Sequence, residues 1–510
     1  MTPREGLTDV HIGRTRRIGT LSLVSFLISA SAPMTVLAGG IVATFAVTGV
    51  VGVPVAFPII ALALGLFTVG YAAMSRHIYN AGAFYSYLAQ GLGKVWAVSG
   101  AGVALLSYNT IQIGLYGLFG VAASGFATAQ WNITWDWWVW AVIAWAVVGL
   151  CGILRIDFNA AVLSVLLIGE VIAVLAFDAA AFIEPAGGSI STNGLWPGEL
   201  FGPGLGGVLA FTIAAFIGFE SGGAYAQDVK DPRRTVARST YITLAIIGVL
   251  YTVSAWALTV AIGPDKVVDA ARDPNSGVPF ATLATFYNDT VATIANVLLI
   301  TSVFAALLSF HNTTARYSYA LGLEGVLPRF LGRASRTSGA PIAGSLIQSL
   351  LAIVVIAVFK LLDRNPLTEL FTWFSYISAV GLILLMTGVS CAVIGFFRGR
   401  ESAETAWQRV VAPSLSIVAL LAIWVVTVVN ADSVLGAEAG SALTYILPAL
   451  VPVAAILFAL WGLILRATAP QVYAGIGGAG EPEIQEGALH GPPHPHHPQA
   501  QQSRDSAPLF

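Results

Sequence analysis

The chain has 510 residues, of which 56% are hydrophobic and only 10% are charged, and its mean hydropathy is +0.80. A soluble protein carries roughly a quarter charged residues, so this composition excludes a soluble globular protein and indicates one that lies in a membrane. The net charge of −2 gives no indication of a nucleic-acid partner, and the two cysteines, Cys151 and Cys391, define neither a disulfide framework nor a metal site.

Long apolar runs predict an all-α protein with about twelve membrane spans of about 20 residues each. The first stretch, from Ile18 to Ser75, contains no charged residue or histidine. Because it shows no small-residue cleavage pattern and runs into a second span, we interpret it as an anchor and not as a secretory signal. The predicted spans are 18–47, 51–74, 95–126, 137–154, 158–183, 205–230, 238–262, 284–311, 340–361, 367–397, 411–430 and 441–466.

The basic residues predict the orientation of these spans. With the N-terminus inside, 20 of the 24 lysines and arginines fall on the cytoplasmic side and 4 fall outside. The positive-inside rule therefore predicts that both termini are cytoplasmic. Residues 1–17 would form a cytoplasmic N-terminal segment, and residues 469–510, rich in Gly, Pro, Gln and His, a disordered cytoplasmic tail. The histidines around 494–497 either hold a transition metal or belong to a solvated tail without a site.

Two of the spans are interrupted by residues that do not suit a membrane helix. In the sixth span glycine and a carboxylate meet at Gly218-Phe219-Glu220, although glycine weakens a helix and a charge in lipid is costly. The first span contains Ser31-Ala32-Pro33. Non-helical backbone survives at membrane depth only where it lines a protein-enclosed or watery cavity. A pair of interrupted segments in corresponding halves indicates the substrate site of a secondary transporter.

Three stretches of the chain resemble motifs of the amino acid–polyamine–organocation permeases. Gly218-Phe219-Glu220 followed by Asp228–Thr235 resembles the broken sixth helix and the next loop of that family. Asn80–Tyr87 resembles its Gly-rich motif between the second and third helices. Asn312–Ala320 with Gly325–Arg329 resembles its loop after the eighth helix.

This resemblance implies a LeuT-type fold in which helices 1 and 6 are broken at the centre. Two inverted repeats of five helices would occupy 18–183 and 205–397, and peripheral helices would occupy 411–466. Access to the substrate would alternate between the two membrane faces. The chain departs from the family pattern at Ser31–Thr35, where many relatives have Gly-x-Gly, at Tyr79, where proline is frequent, and at Glu170, where some proton-coupled relatives have lysine.

The first break is predicted to bind a substrate carboxylate. Pro33 prevents helix continuity, so the half-helix that restarts near Thr35 would direct its positive end and unpaired N–H groups at the gap. Hydroxyl groups would add donors. The alternative is a proline-kinked helix whose hydroxyls bond back to its own carbonyls. The predicted site residues of this span are Ser29, Ser31, Ala32, Pro33, Met34 and Thr35.

In the sixth span, unwound carbonyl groups near Ala215, Phe216 and Gly218 are predicted to accept hydrogen bonds from a substrate ammonium group. The rings of Phe216 and Phe219 would gate or cover the substrate. Glu220 follows the break, so it either stabilises the N-terminus of the second half-helix or takes part in ion coupling.

Glu170 is predicted to couple transport to protons. It lies inside the fifth span with only Asp157 and Asp178 as charged neighbours in the chain, and burial without a nearby cation favours its protonated form. The resemblance places it near Ser309 of the eighth span, where sodium-coupled relatives hold an ion. The alternative is a neutral glutamic acid that packs between helices. Asp178 lies closer to the outer end and is expected at the membrane interface.

Tyr108, Gln112 and Tyr116 recur every four residues in the third span, beside Asn109, and therefore share one helix face. This polar face is predicted to line the cavity, with interhelical packing as the alternative. His311, at the end of the eighth span, is expected to be structural.

We therefore predict a secondary active transporter of a cell membrane that carries an amino acid or related amine by alternating access, most simply as a proton symporter and not as an enzyme. The sequence shows no phosphate-binding loop, no nucleophile elbow and no metal-spaced Cys/His set in its folded part, which disfavours ATP-driven pumping and catalysis. The alternatives are sodium coupling, exchange, and transport of polyamines or other organic cations. An ion channel or a membrane sensor fits less well, because the two breaks are non-equivalent and the tail is short.

Overall fold

The computed structural model describes residues 18–78, 82, 84–154, 156–226, 228–273, 276–335, 338–437 and 440–478. The predicted N-terminal segment, most of the predicted tail with its histidines, and part of the Gly-rich motif with Tyr79 lie outside the described residues. The described chain is built from helices and short helical turns, with one isolated backbone bridge between Ile18 and Val229.

Helices or pairs of half-helices, numbered here as spans 1 to 12 in chain order, make up the described fold. They are Thr20–Thr48, Val53–Ser75, Lys94–Trp131, Trp137–Gly152, Ile156–Ile183, Leu205–Tyr225, Pro232–Ile262, Asp289–Leu323, Ile342–Leu361, Pro366–Phe397, Trp407–Val429 and Ala442–Thr468. Eleven of these described spans are long and apolar enough to cross a membrane. The exception, span 4, has 16 residues, which reach about 24 Å at about 1.5 Å per residue. The prediction of an all-α polytopic membrane protein is confirmed.

Spans 1 and 6 lie at the centre of the bundle, and spans 11 and 12 lie at its edge. Of 18 consecutive apolar residues in each span, 83% are buried in span 1 and 89% in span 6. The fraction falls to 33% in span 11 and 22% in span 12, where many leucine, valine and isoleucine side chains face outward. Such side chains suit lipid, because lipid tails are as apolar as they are. The protein thus buries its irregular backbone and exposes its regular helices.

Both predicted breaks are present. Span 1 leaves helical geometry at Ala32, whose φ of 49° is left-handed, and restarts at Pro33. The first half of span 6 ends at Phe216 and the chain restarts as a short 3-10 helix at Ser221, with Gly218 at a φ of 111° between them. Glycine tolerates this positive φ, and proline is pre-organised for the first helical position. Broken helices 1 and 6 are confirmed, and the assignment of spans 1–5 and 6–10 to inverted repeats stays a prediction.

Contacts between loops sort them onto two faces of the bundle. On the face where span 1 begins, Arg76 and Glu404 pair at 2.9 Å and join the ends of spans 2 and 10. On the other face, Asp136 and Lys360 pair at 3.2 Å and join the loops before span 4 and after span 9. If the twelve spans cross the membrane in alternating directions, the two segments joined by each pair lie on the same face. We call the first the basic face, because most of the described lysines and arginines lie in segments on that side, and the second the opposite face.

Span 8 continues to Leu323, although its predicted end was at 311. The prediction ended there because the following residues are polar. In the structure these residues have partners inside the protein: Arg316 forms an ion pair with Asp228, and His311 shares a hydrogen bond of 2.7 Å with Ser345. The predicted boundary is wrong because composition alone does not show that polar side chains will be satisfied by neighbouring helices.

The predicted disordered tail also begins too early. Pro470–Gly475 is helical, and Ile476 is buried. The backbone N–H of Gly477 donates to the Glu324 carboxylate at 2.7 Å, and the hydroxyl of Tyr85 donates to the same oxygen. Residues 469–478, which we call the C-terminal latch, therefore belong to the folded part of the chain and lie on the basic face.

Span 3 offers a test of how closely the helices are packed. A Cβ atom at Gly117 would lie 2.4 Å from the backbone oxygen of Pro366, whereas a Cβ at Gly125 of the same helix would have nothing within 4 Å. We expect Gly117→Ala to lower the free energy of unfolding by about 1–3 kcal/mol, because span 10 must move. Gly125→Ala should be neutral or stabilising, since alanine is the better helix former. Thermal unfolding of both variants in detergent measures the difference, and equal melting temperatures would contradict this packing.

Candidate functional site

The two breaks meet at the centre of the bundle. A Cβ atom at Gly218 would lie 2.5 Å from the Cβ of Ala30, so the backbone of span 6 approaches span 1 as closely as a glycine permits. The hydroxyl of Ser31 lies 3.5 Å from the carbonyl oxygen of Ile217. The unwound segments of spans 1 and 6 therefore form one continuous patch of non-helical backbone.

A cavity of about 60 Å³ opens beside this patch, between spans 1, 3, 6, 8 and 10. Its walls are mainly apolar, and none of the described residues that line it is charged. Ser375 of span 10 contributes a buried hydroxyl that has no hydrogen-bond partner among the described residues. The lining consists of Ala30, Ser31, Ala32, Thr35, Val36, Gly40, Ile111, Leu115, Phe211, Ala214, Ala215, Ile217, Ala306, Phe310, Phe371 and Ser375.

Four of the predicted site residues line this cavity, namely Ser31, Ala32, Thr35 and Ala215. Ser29, Pro33 and Met34 are buried beside it but do not line it.

The two phenylalanines that were expected to cover the substrate pack against span 2 instead. The ring of Phe216 lies 6.2 Å from that of Phe57, and the ring of Phe219 lies 6.3 Å from that of Phe67. The aromatic walls come from Phe211, Phe310 and Phe371, which the sequence reasoning missed.

The polar face of span 3 divides between two roles. The hydroxyl of Tyr108 donates to Glu220 at 3.1 Å, so this residue reaches the break in span 6. Gln112 bonds to Tyr116 and, across the helix interface, to Gln348 of span 9. Asn109 bonds back to the carbonyl oxygen of Leu105. Gln112 thus packs against a neighbouring helix, whereas Asn109 bonds within its own helix, and the neighbouring face, with Ile111 and Leu115, lines the cavity.

Hydrogen bonds of Glu220 stabilise the break in span 6. Its carboxylate accepts from the N–H of Gly218 at 2.9 Å and from Tyr108, while its own backbone oxygen accepts from Tyr71 at 3.0 Å. The Tyr71 hydroxyl also accepts from the N–H of Gly223 at 3.1 Å. These bonds satisfy backbone groups that the break leaves without helical partners. The Glu220 carboxylate makes no capping hydrogen bond to the short helix that begins at Ser221, so its bonds stabilise the break itself, and the two roles considered for Glu220 stay predictions.

Glu170 lies at the restart of span 1 and not beside Ser309. Its carboxylate accepts from the Ser302 hydroxyl at 2.6 Å, and Ser302 in turn accepts from the N–H and the hydroxyl of Thr35 at 3.2 and 3.1 Å. The backbone N–H of Met34 is a further donor toward this carboxylate. The second carboxylate oxygen makes no hydrogen bond of normal geometry among the described residues. Ser309 bonds elsewhere, to the carbonyl oxygen of Phe26 at 3.2 Å. The expected pairing of Glu170 with Ser309 is therefore wrong.

This arrangement also corrects the expectation that the restarting half-helix presents unpaired N–H groups. The N–H of Thr35 is already taken by Ser302, and a carboxylate of the protein already faces the positive helix end. A helix N-terminus favours a negative charge by typically 0.3–1 kcal/mol at exposed sites and more where it is partly buried. Glu170 therefore stands where a bound anion would otherwise be attracted.

The basic-face side of the site is closed by contacts between spans 1, 6 and 8. The N–H of Ile18 donates to the backbone carbonyl oxygen of Asp228 at 3.1 Å, and the N–H of Lys230 donates to the carbonyl oxygen of Ile18 at 3.0 Å. Arg316 pairs with Asp228 and lies 5.3 Å from the centre of the Tyr225 ring. Both members of the ion pair are about nine-tenths buried. These contacts fasten the beginning of span 1 to the segment that follows span 6.

Sequence reasoning missed Ser302 and Ser375 because each is one of several serines and threonines in its span, and composition does not show which of them faces the site. One signal was present for Ser302: it precedes Ser309 by two helical turns and so shares its face. Ser375 had none. Among the described residues no group of three or more His, Cys, Asp or Glu is placed to hold a metal ion.

Two broken helices that meet beside a central cavity are the arrangement in which many secondary transporters bind small molecules. A family described as amino acid permease matches residues 18–467, nearly the whole described chain. The chain belongs to this family, and with it to the amino acid–polyamine–organocation superfamily that its motifs resemble.

Curated relatives match at moderate identity. A D-serine/D-alanine/glycine transporter of Escherichia coli (strain K12) is 25% identical over 47% of this chain and 49% of its own length. The branched-chain amino acid permease BcaP of Lactococcus lactis is 26% identical over 63% of this chain and 71% of its own length. The putrescine transporter PotE of Haemophilus influenzae is 28% identical over 32% of this chain and 38% of its own length. The chain thus spans about half the length of the first of these relatives.

The contact between the two breaks can be tested by filling it. Gly218→Ala should lower the free energy of unfolding by about 2–4 kcal/mol, because the new methyl group meets Ala30 and the positive φ is strained. Adding Ala30→Gly should recover part of this loss, since it removes the clash but not the strain. Gly222→Ala is the matched control, because a Cβ there would meet its nearest atom at 3.6 Å. Equal stability of Gly218→Ala and Gly222→Ala in detergent melts would show that the breaks do not touch.

Proposed function

We propose that this protein is a proton-coupled symporter that carries amino acids with uncharged side chains by alternating access. The observation that carries the proposal is the position of Glu170, a fully buried carboxyl group held at the helix end beside the cavity. Its location in a cell membrane with the basic face toward the cytoplasm is part of the proposal. The placement of 20 of 24 basic residues supports that orientation.

Proton coupling follows from two carboxylates that compete for one positive helix end. A bound amino acid would bring its carboxylate to the restart of span 1, lined by Ala32 and Thr35, where Glu170 already acts through Ser302. Two negative charges at one buried site repel, so a proton on one favours the other. Protonated Glu170 would release its hold on the helix end, and the substrate carboxylate would take its place. Linkage requires that each ligand raises the affinity for the other, which is the thermodynamic basis of symport.

The ammonium group of the substrate has acceptors on the span 6 side. Ile217 lines the cavity with non-helical backbone, and its carbonyl oxygen is approached only at 3.5 Å by Ser31. Tyr251 of span 7 donates to the carbonyl oxygen of Ser31 at 3.2 Å, which fixes the opposite edge of the gap. The cavity of about 60 Å³ has room for about two water molecules, so a zwitterion would require a wider conformation of the site. There it would lie across the two breaks, with its carboxylate toward span 1 and its ammonium toward span 6.

The side chain of the substrate would face the apolar walls. Ile111 and Leu115 from span 3 and Phe310 from span 8 are typical of a pocket for an aliphatic group. A charged side chain placed there without a partner would cost several kcal/mol. A polyamine such as the substrate in the name of the PotE relative would require acidic lining, and none of the described lining residues is acidic. The lining therefore supports an amino acid over an organic cation.

Replacing Glu170 by glutamine tests the coupling. Glutamine preserves the shape and can still accept from Ser302, but it cannot titrate. Glu170→Gln in liposomes should lose accumulation driven by an inward proton gradient, while it still exchanges labelled for unlabelled substrate. An exchanger without net coupling would show exchange and no accumulation already in the parent protein.

The matched control is Asp136→Asn, which removes an exposed carboxylate in a loop of the opposite face. It should behave like the parent, because exposed ion pairs contribute about 0–1 kcal/mol. Normal accumulation by Glu170→Gln would assign Glu170 a packing role. Accumulation that follows a sodium gradient and ignores a proton gradient would replace proton coupling with sodium coupling.

The substrate class is tested by competition for uptake. Alanine, valine and leucine should compete, whereas lysine, glutamate and putrescine should compete about a hundredfold less well, since each 1.4 kcal/mol is about a factor of ten. Ser375→Ala should weaken binding of the neutral amino acids about fivefold to tenfold by removing a hydroxyl that faces the cavity. Ser378→Ala is its control, because Ser378 is also buried and unpaired among the described residues but does not line the cavity. Strong competition by lysine or putrescine would instead support the organic-cation alternative.

A further inference from the structure

We propose that Asp178 of span 5 relays protons between the opposite face and Glu170. The inference rests on the proposed coupling role of Glu170 and adds the route by which its proton arrives. Asp178 was expected at the membrane interface, but the structure buries it to 4% exposure. One carboxylate oxygen accepts from the Ser254 hydroxyl of span 7 at 3.0 Å, and the other has no hydrogen-bond partner among the described residues.

Asp178 and Glu170 have similar surroundings. Each is a buried carboxyl group on span 5, each accepts from one serine hydroxyl of a neighbouring helix, and each has one oxygen without a bond of normal geometry among the described residues. Burying a carboxyl group with an unsatisfied oxygen is costly, so such a group calls for an explanation other than packing. A group that must accept and release a proton needs a free oxygen, which gives both residues the same explanation.

Span 7 connects the two carboxyl groups. Glu170 and Asp178 are eight positions apart on span 5, which is about 12 Å along the helix axis. Ser254, which bonds to Asp178, lies one turn beyond Tyr251, whose hydroxyl is close enough to Glu170 to interact with its charge. Tyr251 also reaches the break in span 1 through the carbonyl oxygen of Ser31. Span 7 thus places one polar side chain, Ser254, at Asp178 and another, Tyr251, at the break in span 1.

An outer pocket leads toward Asp178. This pocket, of about 230 Å³, lies between spans 5 and 7 and the short helix Phe280–Phe286 on the opposite face. Its lining includes Glu184 and, deeper in span 5, Ala180, which is buried and lies two residues from Asp178. Asp178 does not itself line the pocket, and residues two apart on a helix point to different sides, so the pocket brings water to the depth of Asp178 along span 5 but not to its carboxyl group.

The groups that face Asp178 leave it free to titrate. Two tyrosines of neighbouring elements lie along this part of span 5: Tyr287, which donates to the carbonyl oxygen of Ala176 at 3.3 Å, and Tyr251 of span 7, which interacts with Glu170. Among the described residues, no lysine, arginine or histidine pairs with Asp178. In the relay, ionised Asp178 takes a proton from water that enters from the opposite face and becomes neutral. It returns to its ionised form as the proton passes, through intervening water molecules that must bridge about 12 Å, to the Glu170 carboxylate. No net charge is left on Asp178.

The test compares full-length variants in liposomes with an imposed inward proton gradient and a labelled mixture of alanine, valine and leucine. Asp178→Asn should slow gradient-driven uptake by about a hundredfold, the scale of a lost proton-transfer group, with exchange at the parental rate. Asp178→Glu should restore driven uptake. Ser254→Ala keeps the carboxyl group but removes a hydrogen bond to its ionised form, so its driven uptake should persist to a higher external pH.

Glu170→Gln in the same assay separates the two proposals. Loss of driven uptake in Glu170→Gln with parental uptake in Asp178→Asn overturns the relay and leaves the coupling role intact. Parental uptake in Glu170→Gln overturns the coupling role itself. If Asp178→Asn also loses exchange, or if Asp178→Glu fails to restore uptake and Ser254→Ala leaves the pH profile unmoved, Asp178 is structural and the relay is wrong.

Discussion

Backbone groups that leave helical geometry inside a membrane must find partners within the protein, and the structure depends on this constraint. The break in span 6 is satisfied by Glu220, Tyr71 and Tyr108, and the break in span 1 by Tyr251 and Ser302. Spans 2, 3, 7 and 8, which surround the centre, each carry one of these partners. The cavity exists where two breaks meet, and its position follows from the same requirement.

The sequence predicted the features that depend on composition and backbone chemistry. Hydropathy located the spans, and Pro33 and Gly218 with their polar neighbours located the breaks, because proline interrupts the hydrogen bonds of a helix and glycine tolerates a positive φ. Boundaries failed where tertiary partners decide them: the polar end of span 8 is satisfied by Asp228, and the C-terminal latch is held by Glu324.

Within the site, the sequence identified groups by type but not by partner. Glu170 was recognised as a buried acid, yet Ser302 and not Ser309 bonds to it, because a shift of two helical turns leaves the helix face unchanged. Phe216 and Phe219 flank the break, but the direction of each ring depends on span 2. Apolar wall residues such as Ile111 and Phe371 carry no signal that separates them from other membrane residues. Only the arrangement of helices identifies them.

The fastening of span 1 on the basic face combines two interactions of different kinds. The two hydrogen bonds of Ile18 involve backbone atoms only, so they are indifferent to the side chain at that position. The ion pair of Arg316 and Asp228 depends on both side chains. Mutation can therefore adjust the strength of this closure at the ion pair while the backbone bonds keep its alignment. How often the closure opens can vary among related chains without any change in what the central cavity recognises.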